Sequence, residues 1–293
     1  MDDVKNLIRR VKRIEITTKN MAEGLPAGIH SSLFRAQGIE FTNLREYVAG
    51  DDIRAIDWKV SARKNNPYVR EFTEDREGTY YFVVDRSGSS GFGSDARKDG
   101  KMLEVAASLM FAAQKNHERI GLCVVTDRVE CFVPARQGRA HLIHLLSVLI
   151  YHRPQNRKTD IGSAIRFLSK ILIRRSSIII LSDFLSPLSE PALRILRHHH
   201  EVIAIRIADI REQELPDVGL VALEDMETGE QVLLDTSDGT VRSRYREVAR
   251  EEDDRILSRL RKHHTRTITL MSGDSSFIPL RRFFSSRQQG RSG

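Results

Sequence analysis

From Thr79 onward, short apolar runs alternate with helical patterns, and that alternation constrains the fold of this chain more than any other feature. Residues 80–84, 120–126, 177–181, 202–207 and 267–270 read as strands, each separated from the next by at least one segment with apolar residues at helical spacing. Such a pattern predicts a largely parallel sheet with helices on both faces. The run 177–181 is apolar almost throughout, which suits a central strand covered on both sides. Residues 129–133 follow 120–126 after only Asp127-Arg128. A two-residue link cannot make a parallel crossover, so this strand is expected to pair antiparallel at a sheet edge. Three helices are marked by Met102, Ala106, Leu109 and Met110, by Leu142, Leu145, Leu146 and Leu149, and by Ile161, Ala164, Ile165 and Leu168. A fourth helix is expected near 190–199, a long charged one over 241–263, and a short closing one near 277–284. Residues 221–223 and 232–234, separated by Thr228-Gly229, read as a small surface hairpin. The expected fold class is α/β and Rossmann-like.

The first 78 residues have a different character. Val4, Leu7, Ile8, Val11 and Ile14 form an apolar helical stripe, with Lys5, Arg9, Lys12 and Arg13 elsewhere on that helix. Packing against its own domain is the favoured reading, and peripheral contact with an anionic membrane is the alternative. A polar block over 44–59 holds the chain's one tryptophan, Trp58, among charges of both signs. It reads either as a binding surface or as ion pairs around a buried ring. We expect a largely buried Trp58, with Arg54, Asp57 and Arg63 holding the segment onto the α/β domain. The expected division is therefore 1–78 for the N-terminal helix and block, 79–284 for the α/β domain, and 285–293 for a disordered tail.

Composition narrows the function classes. Charged residues make up 30% and hydrophobic ones 40%, a globular balance. No apolar run approaches the roughly 20 residues of a membrane span, and the N-terminus lacks a signal-peptide core. The expected location is cytoplasmic. There, Cys123 and Cys131 on neighbouring strands are read as thiols rather than a disulfide. The net charge of +7 raises nucleic-acid binding, but acids and bases interleave over 51–77, and no zinc-finger spacing or aromatic RNA-binding motif accompanies the charge. Nucleic-acid binding is thus the weakest of three functional readings.

Chemistry concentrates in Asp85-Arg86-Ser87-Gly88-Ser89, directly after the first apolar strand. A carboxylate and two hydroxyls at alternate positions beyond a strand can converge in the crevice where α/β sheets bind ligands. Three oxygen donors with one charge suit a hard cation such as Mg²⁺ or Mn²⁺. Thr159, before the third helix, and Asp183, after the apolar strand 177–181, would reach the same edge if that strand neighbours the first. Ser87, Ser89 and Thr159 would then be hydroxyl ligands, with Asp85 and Asp183 acting mainly through bound water and orienting the hydroxyls. Each also has a purely structural reading, with Thr159 or Asp183 serving as a helix N-cap. An enzyme is disfavoured because no histidine lies in the three ligand loops. A hydrolytic metal site needs a base aimed at its substrate. The chain also lacks a nucleotide-binding Gly-x-x-x-x-Gly-Lys-Ser/Thr loop.

The set Asp85, Ser87, Ser89, Thr159 and Asp183 resembles the metal-ion-dependent adhesion site (MIDAS) of von Willebrand factor A domains. The block Arg45-Glu46-Tyr47, Gly50-Asp51-Asp52, Arg54, Ile56-Asp57-Trp58, Ser61-Ala62-Arg63 and Val69-Arg70-Glu71-Phe72 resembles the bacterial family called domain of unknown function 58. Ser90 stands where members often have Met, a departure that touches no ligand. Many members carry transmembrane helices ahead of the block, so this chain resembles the short, soluble branch. The resemblance implies a von Willebrand A domain whose central, mostly parallel sheet has one antiparallel edge strand. It further implies a metal-dependent protein-binding adaptor working with a MoxR-type AAA+ ATPase in the assembly or activation of other proteins. A metal-dependent phosphoester hydrolase is the second reading, and a basic nucleic-acid binder the third.

Overall fold

The computed structural model describes residues 40–48, 51, 56–64, 66–73, 78–88, 98–186, 188–224 and 229–285. The basic helix expected over 4–14 lies outside these residues, as do Arg54, Ser89, Ser90 and, of the tail expected over 285–293, all but Ser285, which ends a helix. In chain order the elements are β1 (Glu40–Glu46), α1 (Trp58–Lys64), β2 (Tyr68–Thr73), β3 (Thr79–Asp85) and α2 (Lys98–Lys115). These are followed by β4 (Arg119–Val125), β5 (Val129–Arg136), α3 (Arg139–Tyr151), α4 (Ile161–Ile171), β6 (Ser177–Ser182) and α5 (Glu190–His199). The last are β7 (Glu201–Ala208), α6 (Ile210–Gln213), β8 (Leu220–Glu224), β9 (Gln231–Asp235), α7 (Gly239–Lys262), β10 (Arg266–Met271) and α8 (Phe277–Ser285). The chain divides into two compact units, one of them Phe34–Gly78, the other holding everything from Thr79 onward.

In the larger unit, six strands form one sheet in the order β10-β7-β6-β3-β4-β5. All neighbours pair parallel except β4 and β5. This is the expected Rossmann-like, von Willebrand A arrangement, with its single antiparallel strand at the edge. The reason lies in link lengths: three residues, Thr126 to Arg128, join β4 to β5, whereas every parallel pair is joined through a helix. Side chains alternate across the pleat. Tyr81, Val83, Cys123, Ile178, Ile180 and Ala204 face Ile161, Ile165 and Leu168 of α4, Leu193 and Leu196 of α5, and Ile256 and Leu260 of α7. Phe82, Val84, Leu122, Ile179 and Leu181 point the other way, toward the side covered by α2. The two cysteines are unbonded, as the sequence suggests. The surface hairpin forms as β8 and β9. His117 lies in the turn after α2, at φ 58°.

The described residues of the smaller unit form a β-ribbon and one short helix. β1 pairs antiparallel with β2, and Ile56 bridges to Val69. Asp57 caps α1 by accepting from the Val60 N–H at 3.2 Å, while its own N–H donates to the Tyr68 carbonyl at 2.8 Å. Ser61 Oγ accepts from the Tyr68 N–H at 2.8 Å. Asp57 is buried, whereas Arg63 is exposed. Trp58 overturns the sequence expectation: it is 66% exposed. It occupies the first helical position, and among the described residues of this unit Val69 is the buried apolar side chain. Its ring instead walls an open groove of about 640 Å³ with Tyr47, Ile56, Ser61, Ala62, Asn66 and Pro67. Trp58→Ala should therefore cost under about 1 kcal/mol in urea denaturation, not the roughly 3–5 kcal/mol of a buried tryptophan. A loss of the larger size would mean that the ring is covered in solution.

Candidate functional site

The register of the central strands builds the site. β3 and β6 pair parallel, with Val83 opposite Ile180 and Val84 opposite Leu181, so Asp85 and Asp183 leave the sheet at the same edge. Both are buried, as is Ser87. One Asp85 oxygen accepts from the Ser87 N–H at 2.9 Å, and the other from Ser182 Oγ at 2.7 Å. Ser182 Oγ in turn accepts from the Phe184 N–H at 2.9 Å. Phe184 takes φ 60°, in the left-handed region that costs a non-glycine residue free energy. Its ring stays in the core, which holds the turn that presents Asp183. Asp183 Oδ1 accepts from the Leu185 N–H at 3.2 Å, Oδ2 from Lys98 Nζ at 2.7 Å, and its carbonyl from Arg206 Nε at 3.2 Å.

Two further bonds draw the Thr159 loop to this edge. The Gly88 N–H donates to the Arg157 carbonyl at 2.7 Å, and the Asp160 N–H to the Thr126 carbonyl at 2.8 Å, just beyond β4. Glu130 pins the same loop by accepting from the Gln155 and Asn156 N–H groups at 2.9 and 3.3 Å. Its carboxylate also meets Thr126 Oγ and His152 Nε2. Thr159 is not the N-cap of α4: Asp160 holds that position, accepting from the Ser163 N–H at 3.1 Å. Nor is Asp183 a cap, since Ser189 precedes α5. The structure thus gathers Asp85, Ser87, Asp183 and the loop bearing Thr159, while Ser89 lies outside the described residues.

The electrostatics are unusual for so enclosed a place. Burial, and then the charge of Asp183, push the Asp85 carboxyl up to about 6. Lys98 is 0% exposed and donates to both Asp183 and Glu212. Burial pulls its ammonium down, but the two carboxylates more than reverse that and leave it raised. Among the described residues, no three His, Cys, Asp or Glu side chains gather as a metal cage. The donors are instead two carboxylates among hydroxyls, a set suited to a hard divalent ion that keeps water or outside ligands. Burial makes the Asp85 charge costly and the nearby Asp183 charge adds to that cost, and such an ion would relieve both, so Asp85, Ser87 and Asp183 fit the group.

Sequence reasoning missed Ser182, Glu130, Lys98 and Glu212. Ser182 directly precedes Asp183 and could have been read with it, but no sequence spacing links the other three to the site. Glu130 makes a local test. Its side chain is 1% exposed, and the hydrogen bonds it accepts outweigh the upward pull of burial, holding its pKa below the ordinary carboxylate value. The stability it contributes is present above that ordinary value and is lost as pH falls through its lowered pKa. Glu130→Ala orphans the Gln155 and Asn156 N–H groups, so the expected loss is about 1–3 kcal/mol. Protection of those two amides in hydrogen exchange should fall with it; unchanged protection would show that the loop is held by other bonds.

The sequence profile of a family described as "Protein of unknown function DUF58" matches residues 43–255. The uncharacterized protein Rv1480 of Mycobacterium tuberculosis (strain ATCC 25618 / H37Rv) is 32% identical over 295 residues, covering 99% of this chain and 92% of that one. Among solved structures, an aerotolerance-related membrane protein from Bacteroides fragilis NCTC 9343 is similar over 72% of this chain and 99% of its own, at 13% identity and a TM-score of 0.48. BatB from Bacteroides thetaiotaomicron is similar over the same shares, at 12% identity and a TM-score of 0.46. These likenesses are distant, and the fold is identified by its own strand order. The length of the profile match and the nearly full-length relative together establish that this chain belongs to the DUF58 family.

Proposed function

We propose that this protein is a metal-dependent protein-binding adaptor. A divalent cation, Mg²⁺ or Mn²⁺, would be held by Ser87, Ser89 and Thr159, with Asp85 and Asp183 supporting it largely through water. One observation carries the reading: two buried carboxylates share an edge where burial and mutual repulsion push Asp85 up to about 6. Lewis acidity is what the bound ion would supply, offering a position to a carboxylate from a partner. Asp85 would orient the Ser87 backbone and, through Ser182, the turn at Phe184, while the Glu130 network would keep the Thr159 loop in reach. The resemblance to the family points to a MoxR-type AAA+ ATPase as that partner. Among the described residues, no helix is long and apolar enough to cross a membrane.

Calorimetry with Mn²⁺ tests the site, and capture of a MoxR-type ATPase tests the role. Wild type should bind the ion with modest affinity. Asp85→Ala and Asp183→Ala should lose both binding and capture while retaining wild-type circular dichroism, and EDTA should reproduce the loss of capture. Equal metal binding by wild type and Asp85→Ala would remove the metal assignment. Capture that survives both substitutions and EDTA would remove the adaptor mechanism. Phosphoester turnover that requires metal and Asp85 would favour the hydrolase instead.

A further inference from the structure

We propose that Lys98 is a tethered cation that competes with the divalent ion for Asp183, so that metal arrival displaces its ammonium onto Glu212. This rests on the metal reading above and adds to it an internal rival for the site. Lys98 opens α2 and is fully buried, with Nζ 2.7 Å from Asp183 Oδ2 and bonded also to Glu212. Both oxygens of Asp183 are engaged, the second by the Leu185 N–H. An ion using Asp183, directly or through water, must therefore share that carboxylate with an ammonium. Two cations at one buried carboxylate repel strongly, because little solvent screens them.

Glu212 gives the displaced ammonium somewhere to stay. Its Oε2 accepts from the Asp209 N–H at 3.1 Å, closing the capping box of α6, while its Oε1 faces Lys98. The capping box fixes the side chain, so one oxygen remains available to Lys98 whether or not Asp183 is shared. The ammonium bridges Asp183 and Glu212, and on metal arrival it gives up Asp183 and keeps Glu212. Because Lys98 is the first residue of α2, the exchange transmits occupancy of the site to the start of that helix. A lysine with no carboxylate beyond Asp183 would be expelled into an apolar interior, and the exchange would be blocked. Glu212 is thus a positioning residue for the exchange, and Lys98 its moving part.

Opposite signs distinguish this from a purely structural ion pair. Mn²⁺ titrations of the full chain, followed by calorimetry and by the EPR signal of the free ion, would compare wild type, Lys98→Gln and Glu212→Gln. Removing the competing charge in Lys98→Gln should tighten Mn²⁺ binding at least about tenfold. Glu212→Gln can still cap Asp209, but it removes the carboxylate that draws the ammonium away from Asp183 and should weaken binding several-fold. Equal affinities in wild type and Lys98→Gln would overturn the competition while leaving the metal site intact. If Lys98→Gln does not fold, Glu212→Gln decides alone, since unchanged or tighter binding there overturns the proposal. No saturable Mn²⁺ binding in any of the three would overturn the metal reading itself, and the competition with it.

Discussion

In the presence of a chelator, Asp85→Asn is expected to be more stable than wild type at neutral pH, although it destroys the metal site. The folded carboxyl is raised to about 6 from an ordinary 3.8. Between these values the folded state keeps a proton that the unfolded chain releases, so wild-type stability falls as pH rises through that window and the full penalty remains above it. At 1.36 kcal/mol per pH unit, this penalty is at most about 3 kcal/mol at pH 7. The amide of Asn removes the charge yet can still accept from the Ser87 N–H and donate to Ser182 Oγ, two of the groups that Asp85 meets. Urea melts in EDTA from pH 4 to pH 8 should show the variant's advantage growing through the window and levelling off above about 6. Mg²⁺ should then stabilise wild type alone. A variant less stable than wild type throughout, or an advantage indifferent to pH, would show that Asp85 is not a strained anion in the metal-free protein.

The opposite large effect belongs to the layer beneath the site. Phe82 is fully buried in the middle of β3, paired with Leu122 of β4 on one side and Ile179 of β6 on the other. Interior packing leaves no slack to fill the space of a phenyl ring, so Phe82→Ala should lose about 3–5 kcal/mol in equilibrium denaturation. The contrast with Trp58→Ala is the sharper test, since tryptophan is the larger ring and yet the expected cost is under about 1 kcal/mol. Comparable losses at the two positions would contradict this placement of the rings. Because Phe82 lies three residues before Asp85 on the same strand, metal affinity should weaken along with stability in this variant.

The sequence by itself determined the sheet. Apolar runs such as 177–181 can be buried only between covering helices, and a two-residue link can only turn a strand back on itself, so strand type, edge and centre follow from local patterns. It also determined which edge carries oxygen donors, because Asp85 and Asp183 each stand at the end of an apolar strand. The strands β1 and β2 and the helix α1 were not legible: they are short, charged and without clear period, and the strand pairing joins residues as far apart as Glu40 and Thr73. The burial of Trp58 was misread for a related reason. Its size favours burial on average, but at position one of α1 it stays exposed, while Val69 is buried. Only the tertiary structure decided what stands opposite the two aspartates. Lys98, Glu212 and Glu130 come from α2, α6 and β5, and no local pattern marks them, because the field that draws an ammonium to two carboxylates exists only once the chain has brought them together.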